Sequence, residues 1–209
     1  EIHIKVHGKS CHGAYPDTGV DAIVMAGAVI NSLQTLISRS ISPLDNAVLT
    51  LGTIHGGTAG NIVAGEVEMT GTLRTTDPSV RQKIIDAMTR QVSCTCQAMG
   101  GSGEVVIVPG YAALINSDEI VDVLAETAAE LLGSQHIHQK KFPSLGVEDF
   151  SFFLEKAKGV FYHLGCASRE KGITAPLHSQ DFDIDETCLK LGVELQASLA
   201  LKLLKRNIV

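Results

Sequence analysis

The sequence predicts an α/β protein of 209 residues. Its residues 1–112 form an α+β domain of ferredoxin-like βαββαβ order, and residues 113–209 form the closing part of a larger α/β domain. Three observations carry this prediction. The chain opens on strand-type alternation, two helix-type periodicities follow with strand candidates between and after them, and the second half has too few strands to enclose a core of its own.

Ile2, Ile4 and Val6 alternate with His3, Lys5 and His7, the period of a half-buried strand. A protein rarely begins inside its first strand, so a preceding segment is expected. Gly8 to Pro16 reads as a loop. From Gly19 to about Ile37, Val20, Ile23, Val24, Gly27, Ile30, Leu33 and Ile37 recur at helical spacing. Ala47–Ile54 and Val67–Thr75 are strand candidates separated by the glycine-rich run His55–Asn61. Asp77-Pro78-Ser79 starts a second helix with Val80, Ile84, Met88, Val92, Thr95 and Met99 on one face, Pro78 suiting the first turn. Gly100–Gly103 stops it, and Glu104–Val108 is a last strand.

In the second half, Asn116 or Ser117 can cap a helix carrying Ile120, Leu124, Ala128 and Leu131 that ends at Gly133. Glu148-Asp149 heads an aromatic helical run from Phe150 to Lys156. Gly159–Gly165 reads as a buried strand. Asp185–Leu204 is a closing helix with Cys188, Leu191, Leu195 and Leu199 inward.

Composition narrows the function classes. The net charge of −6 and the lack of a basic or aromatic platform argue against nucleic acid. No apolar run approaches the roughly 18–20 residues a bilayer span requires, so no membrane partner is expected. Five cysteines, an odd number without a CxxC pair, point to a reducing, cytoplasmic setting. Cys94 and Cys96, two apart on a helix, face different ways.

Several motifs could carry chemistry. His12 follows a strand, beside Gly13, where an imidazole can donate to an oxyanion or carry a proton; a loop-bracing histidine is the plainer reading. The glycine-rich turn brings backbone N–H groups and the Asn61 amide near a ligand but lacks phosphate-loop spacing, and a plain hairpin is equally consistent. Arg74, near a strand end, has the planar fork that suits a carboxylate, or is simply solvated. Glu148 and Asp149 stand at a helix start, where capping is the default. His178 sits on a loop among Asp181, Asp183, Asp185 and Glu186, like a metal ligand without its partners, since a catalytic metal site takes about three protein ligands. His136 and His138 lie in a polar connector and read as exposed.

Together GKSCHGAYPDTGVDAI from Gly8, LQTLISR from Leu33, GTIHGGTAGN from Gly52, GTLRTTDP from Gly71, GVEDFSFFL from Gly146 and LHSQDFDID from Leu177 resemble the M20 metallopeptidase family, in its aminoacylase-like, hippurate hydrolase-like and auxin-conjugate hydrolase-like amidohydrolase branch. The matches are collinear over nearly the whole chain. The resemblance implies a catalytic domain with two divalent metal ions, Zn or Mn, interrupted by a ferredoxin-like lid that also forms a homodimer interface. Residues 1–112 would be that lid, and 113–209 the return into the catalytic domain.

Residue by residue, His12 matches the lid histidine that stabilises the tetrahedral intermediate, often in the neighbouring subunit's site. Asn61 and Arg74 match substrate-binding positions, His178 the last metal ligand, and Glu148 and Asp149 a segment near the site. Val63-Ala64 departs from the family's usual proline-containing loop. The remaining metal ligands and the general-base glutamate match nothing here. The expectation is thus part of a metal-dependent hydrolase of the amide bond in N-acyl amino acids or small peptide conjugates, inactive as this chain alone. The alternative is a non-catalytic dimerisation or ligand-binding module.

Overall fold

The computed structural model describes residues 1–208. They divide into two compact units, Glu1–Ala113 with Leu145–Val147, and Leu114–Ser144 with the residues from Glu148 onward.

In the first unit, β1 (Ile2–His7) buries Ile2, Ile4 and Val6 and turns His3, Lys5 and His7 to the open side. The expected loop that follows contains a two-residue strand, β2 (Cys11–His12), and a single 3-10 turn at Pro16–Thr18. Helix α1 (Ala22–Thr35) begins later than its periodicity implied because Asp21 caps it, accepting from the N–H groups of Ile23 and Val24 at 2.9 and 3.2 Å. It runs on through a π-helical turn at Leu36–Ser40. The continuous helix Ala22–Ser40 is, at 19 residues, long and apolar enough by length and composition alone to cross a membrane, where no apolar run of that length was expected. Its buried face of Ala22, Met25, Ala26, Val29, Leu33 and Leu36 belongs to the core of the unit, which accounts for that apolarity.

β3 (Ala47–Gly56), the two-residue β4 (Ile62–Val63) and β5 (Glu66–Thr75) follow. Helix α2 (Pro78–Ala98) is capped by Asp77 and places Val80, Ile84, Met88, Val92 and Cys96 inward. The last buried turn position is therefore Cys96, not Thr95 or Met99; Met99 is exposed and Cys94 lies on the outer side. β6 (Ser102–Ile107) completes an antiparallel sheet of order β3-β5-β1-β6. With both helices on one face, this is the ferredoxin-like arrangement. Its core joins Ile4, Val6, Met69, Val67, Ile84 and Met88 to α1.

Two strands lie within a close approach that excludes side chains. Gly71 on β5 faces Thr50 and Leu51 where β3 shifts register between Leu51 and Thr53, and a Cβ at Gly71 would overlap the Thr50 carbonyl oxygen. The shift is a β-bulge around Gly52, and such a bulge demands a small partner across the ladder.

In the second unit, α3 (Asp118–Leu132) pairs with α5 (Thr187–Arg206), and α4 (Ser151–Leu154) is a single turn. Ile120, Val123, Leu199 and Leu203 form the buried seam, flanked by Leu124, Val160 and Ile208. Leu191 and Leu131, expected inward, are 39% and 38% exposed, because the seam takes the line Cys188, Leu195, Leu199 and Leu203 instead. Lys202 bridges Glu126 and Glu130, and Arg206 bonds both Glu126 oxygens at 2.8 Å, tying the two helices along their rim.

Gly159–Gly165 is not a strand. Its backbone is held at the start by a side chain: Asn116 donates to the Phe161 carbonyl at 2.9 Å and accepts from its N–H at 2.8 Å. Asn116 thus imitates a strand partner for one residue, and neither it nor Ser117 caps α3 through its side chain.

Candidate active site

The lid-type residues sit on a small ribbon at one end of the four-stranded sheet. β2 and β4 pair with Cys11 opposite Val63 and His12 opposite Ile62, and the Gly13 N–H donates to the Asn61 carbonyl at 2.8 Å. Further bonds fasten the ribbon: Gly8 N–H to Gly65 at 2.8 Å, and Ala22 N–H to the Ala64 carbonyl at 3.0 Å. Ala64 is buried at 4% exposure, so the loop holds its path through burial and this bond in place of a proline. The two motifs read separately in the sequence, the His12 loop and the Gly-rich turn, are therefore one structural element.

His12 is exposed, and its Nδ1 accepts from the Ala14 N–H at 3.0 Å. A neutral imidazole that accepts at Nδ1 carries its proton at Nε2. The ring leans on Tyr15 with centroids 5.5 Å apart, which fixes its tilt. His12 therefore offers a directed Nε2–H donor, the form an oxyanion needs. Asn61 bonds the ribbon through its backbone and stands exposed beside it.

Arg74 lies elsewhere. β5 begins at Glu66, opposite His7, and runs away from the ribbon, so Arg74 is eight positions along it, about 26 Å at the usual strand rise. Its Nη1 donates to the Leu145 carbonyl at 2.8 Å, and the side chain is half-buried. One chain therefore does not bring Arg74 to the same small ligand as His12 and Asn61.

In the second unit His178 is exposed with φ 67°, a left-handed conformation rare for a residue with a side chain. Holding it costs on the order of 1–3 kcal/mol, and such strain concentrates at functional sites. The turn around it is closed by Ser179 N–H to the Pro176 carbonyl at 3.2 Å. Glu148 and Asp149 precede α4, but their backbone carbonyls, not their carboxylates, receive its first N–H groups, at 3.2 and 3.0 Å. The capping role that was their default is thus not taken, and both carboxylates stay available. His136, at the end of a 3-10 turn, and His138 are both exposed, as expected of a polar connector.

Two features escaped sequence reasoning. The hydroxyls of Ser151 and Ser179 are buried without a partner among the described residues, and each lies within two positions of a candidate site residue, Asp149 or His178. Serine is common enough in both settings that no sequence signal marked them. Among the described residues no group of three or more His, Cys, Asp and Glu could hold a metal. His178 alone does not make a metal site, so the donor set of this chain does not fit a bound pair of ions by itself.

The first unit is therefore a ferredoxin-like α+β domain whose end ribbon presents a histidine. Residues 1–97 match the peptidase dimerisation domain of the M20 family. The chain belongs to this family. It is 38% identical over 200 residues to thermostable carboxypeptidase 2 of Saccharolobus solfataricus, covering 95% of this chain and 50% of that protein. It is 32% identical over 204 residues to the N-acetylcysteine deacetylase of Bacillus subtilis, covering 98% and 52%. Among solved structures, the YXEP protein of Bacillus subtilis, described as a dinuclear metal-binding peptidase of the M20 family, superposes with a TM-score of 0.76 at 26% identity, covering 98% of this chain and 50% of that one. The chain spans about half the length of the curated relatives it matches.

Proposed function

We propose that this chain supplies the dimerising lid and the closing segment of a metal-dependent hydrolase that cleaves the amide bond of N-acyl amino acids or small peptide conjugates. The observation that carries the reading is the His12–Asn61 ribbon, which presents an Nε2–H donor at a position fixed by backbone bonds on both sides. During attack on the amide, His12 donates to the developing oxyanion, while Asn61 and Arg74 bind the substrate through its free carboxylate. His178 is one ligand of a site for two divalent ions, Zn or Mn, whose other ligands lie outside this chain. The 209 residues alone are inactive in this reading. Five free cysteines favour a cytoplasmic setting.

The separation of His12 from Arg74 favours a site shared between two copies, with His12 and Asn61 of one serving the Arg74 end of the other. The sheet offers a surface for that pairing. β3 is an edge strand whose ten residues include no charged residue and no proline, whereas the other edge, β6, carries Glu104. An uncharged edge left open is an association hazard, and pairing with a second copy removes it.

The test is complementation in the full-length protein. His12→Ala and Arg74→Ala are each made alone and then co-expressed. Each single variant should lose N-acyl amino acid hydrolysis, and the mixture should regain roughly a quarter to a half of it through mixed dimers with one intact site. No recovery in mixed dimers would overturn the shared site, and a metal-free, inactive wild type would favour a non-catalytic module.

A further inference from the structure

We infer that Arg74 is a positioning residue that fastens the short stretch Leu145–Val147 to the first unit, the lid. The inference goes beyond the carboxylate-binding role proposed above and stands on contacts present without substrate.

Leu145–Val147 has no strand or helix of its own, yet it clusters with Glu1–Ala113 and not with the residues on either side of it in sequence. A three-residue excursion without a ladder has to be held by other bonds. Arg74, 71 positions away, donates from Nη1 to the Leu145 carbonyl at 2.8 Å. A guanidinium bonding a carbonyl is a charge-assisted contact, stronger than a neutral pair. Leu145 is half-buried while Val147 is 55% exposed, so burial anchors the near end of the stretch more than the far end.

The acceptor is a backbone oxygen, so the contact selects no particular residue at position 145; it fixes where the chain passes. With this stretch on the lid, the chain passes between its units at 113/114, at 144/145 and at 147/148. Arginine has five N–H donors in a planar fork, so the edge not used by Leu145 remains for a ligand.

Amide hydrogen exchange on the full chain without ligand tests this. Arg74→Ala should speed exchange at residues 145–148 about tenfold or more while β1 and the Glu66–Val67 end of β5 keep their protection. Arg74→Lys keeps one charged donor and should restore most of the protection, whereas a bidentate carboxylate clamp would not survive that change. Arg74→Met, which retains the apolar stem, separates loss of the bond from loss of packing and should behave like Arg74→Ala. Unchanged exchange at 145–148 in the Ala and Met variants would overturn the proposal, as would equal loss in the Lys variant. Because no substrate is present, the outcome is independent of whether the hydrolase reading holds.

Discussion

The backbone N–H of Ala14 donates to Nδ1 of His12 at 3.0 Å, and this bond decides which face of the imidazole is a donor. With Nδ1 occupied as an acceptor, the neutral ring holds its proton at Nε2. Long-range proton–nitrogen NMR should find the Nε2–H tautomer, and a dominant Nδ1–H form would remove the basis for an oxyanion donor. In the full-length enzyme, His12→Ala should lower kcat about 100- to 1,000-fold with little change in KM, as expected for a donor engaged in the transition state.

Two glycines in the first unit should respond to alanine with opposite signs. At Gly71 a Cβ overlaps the Thr50 carbonyl and crowds Leu51 across the bulge, so Gly71→Ala should destabilise by about 1–3 kcal/mol. At Gly27, inside α1, an added Cβ meets nothing within 4 Å, and the substitution should stabilise the monomer by about 0.5–1 kcal/mol. Urea unfolding at matched protein concentration measures both. Equal effects at the two sites would mean that the bulge has room the strand pairing does not show.

The contrast between these glycines marks what the sequence carries. Alternation in Ile2–Val6 and the helical spacing of Val80, Ile84, Met88 and Val92 each reflect a buried face that one regular element makes by itself, so βαββαβ order was legible. The β2–β4 ribbon was not, because a two-residue strand has no period and exists only through a distant partner, Cys11 facing Val63 and His12 facing Ile62. Gly159–Gly165 failed for the converse reason. Its apolar run satisfies the local pattern of a strand, but no strand lies beside it, and Asn116 supplies the bonds. For the site, residue types pointed to His12 and His178 individually; that Arg74 lies about 26 Å along β5 from Glu66, away from the ribbon, follows from strand direction, which only the pairing reveals.

If β3 is the edge that pairs with a second copy, a charge there should weaken the dimer before it harms the fold. Ile54 is 51% exposed near the end of this strand, so Ile54→Lys leaves no large cavity in the core. Sedimentation or light scattering should show a shift toward monomer relative to wild type, with an unchanged circular dichroism spectrum. A dimer that persists at the same concentration would place the interface on another surface.

Asp185 joins three parts of the second unit and should give its stability an acid limb. The Lys171 ammonium, at 2.8 Å, holds the carboxyl well below its ordinary value of 3.8, to about 2, and the N–H and hydroxyl of Thr187 add to the effect at the start of α5. The Asp185 N–H also bonds the Cys166 carbonyl at 2.8 Å, so the residue ties the hairpin bridged at Ser168 and Ile173 to that helix. A carboxyl whose folded pKa is depressed binds its proton more readily when unfolded. Its contribution is therefore fully present above about pH 4 and is lost as the pH falls through about 2. Asp185→Asn removes the charge but keeps the backbone bond. The urea midpoint of this variant should lie below that of wild type at pH 5 to 7, and the two curves should converge between pH 4 and 2. Glu68, Asp77 and Glu126 are lowered as well, by Lys5, Ser79 and Lys202 in first place, so wild type itself softens in acid. The difference between the curves isolates Asp185, and a gap that stays constant down to pH 2 would show that its carboxylate is no more stabilised in the folded chain than in the unfolded one.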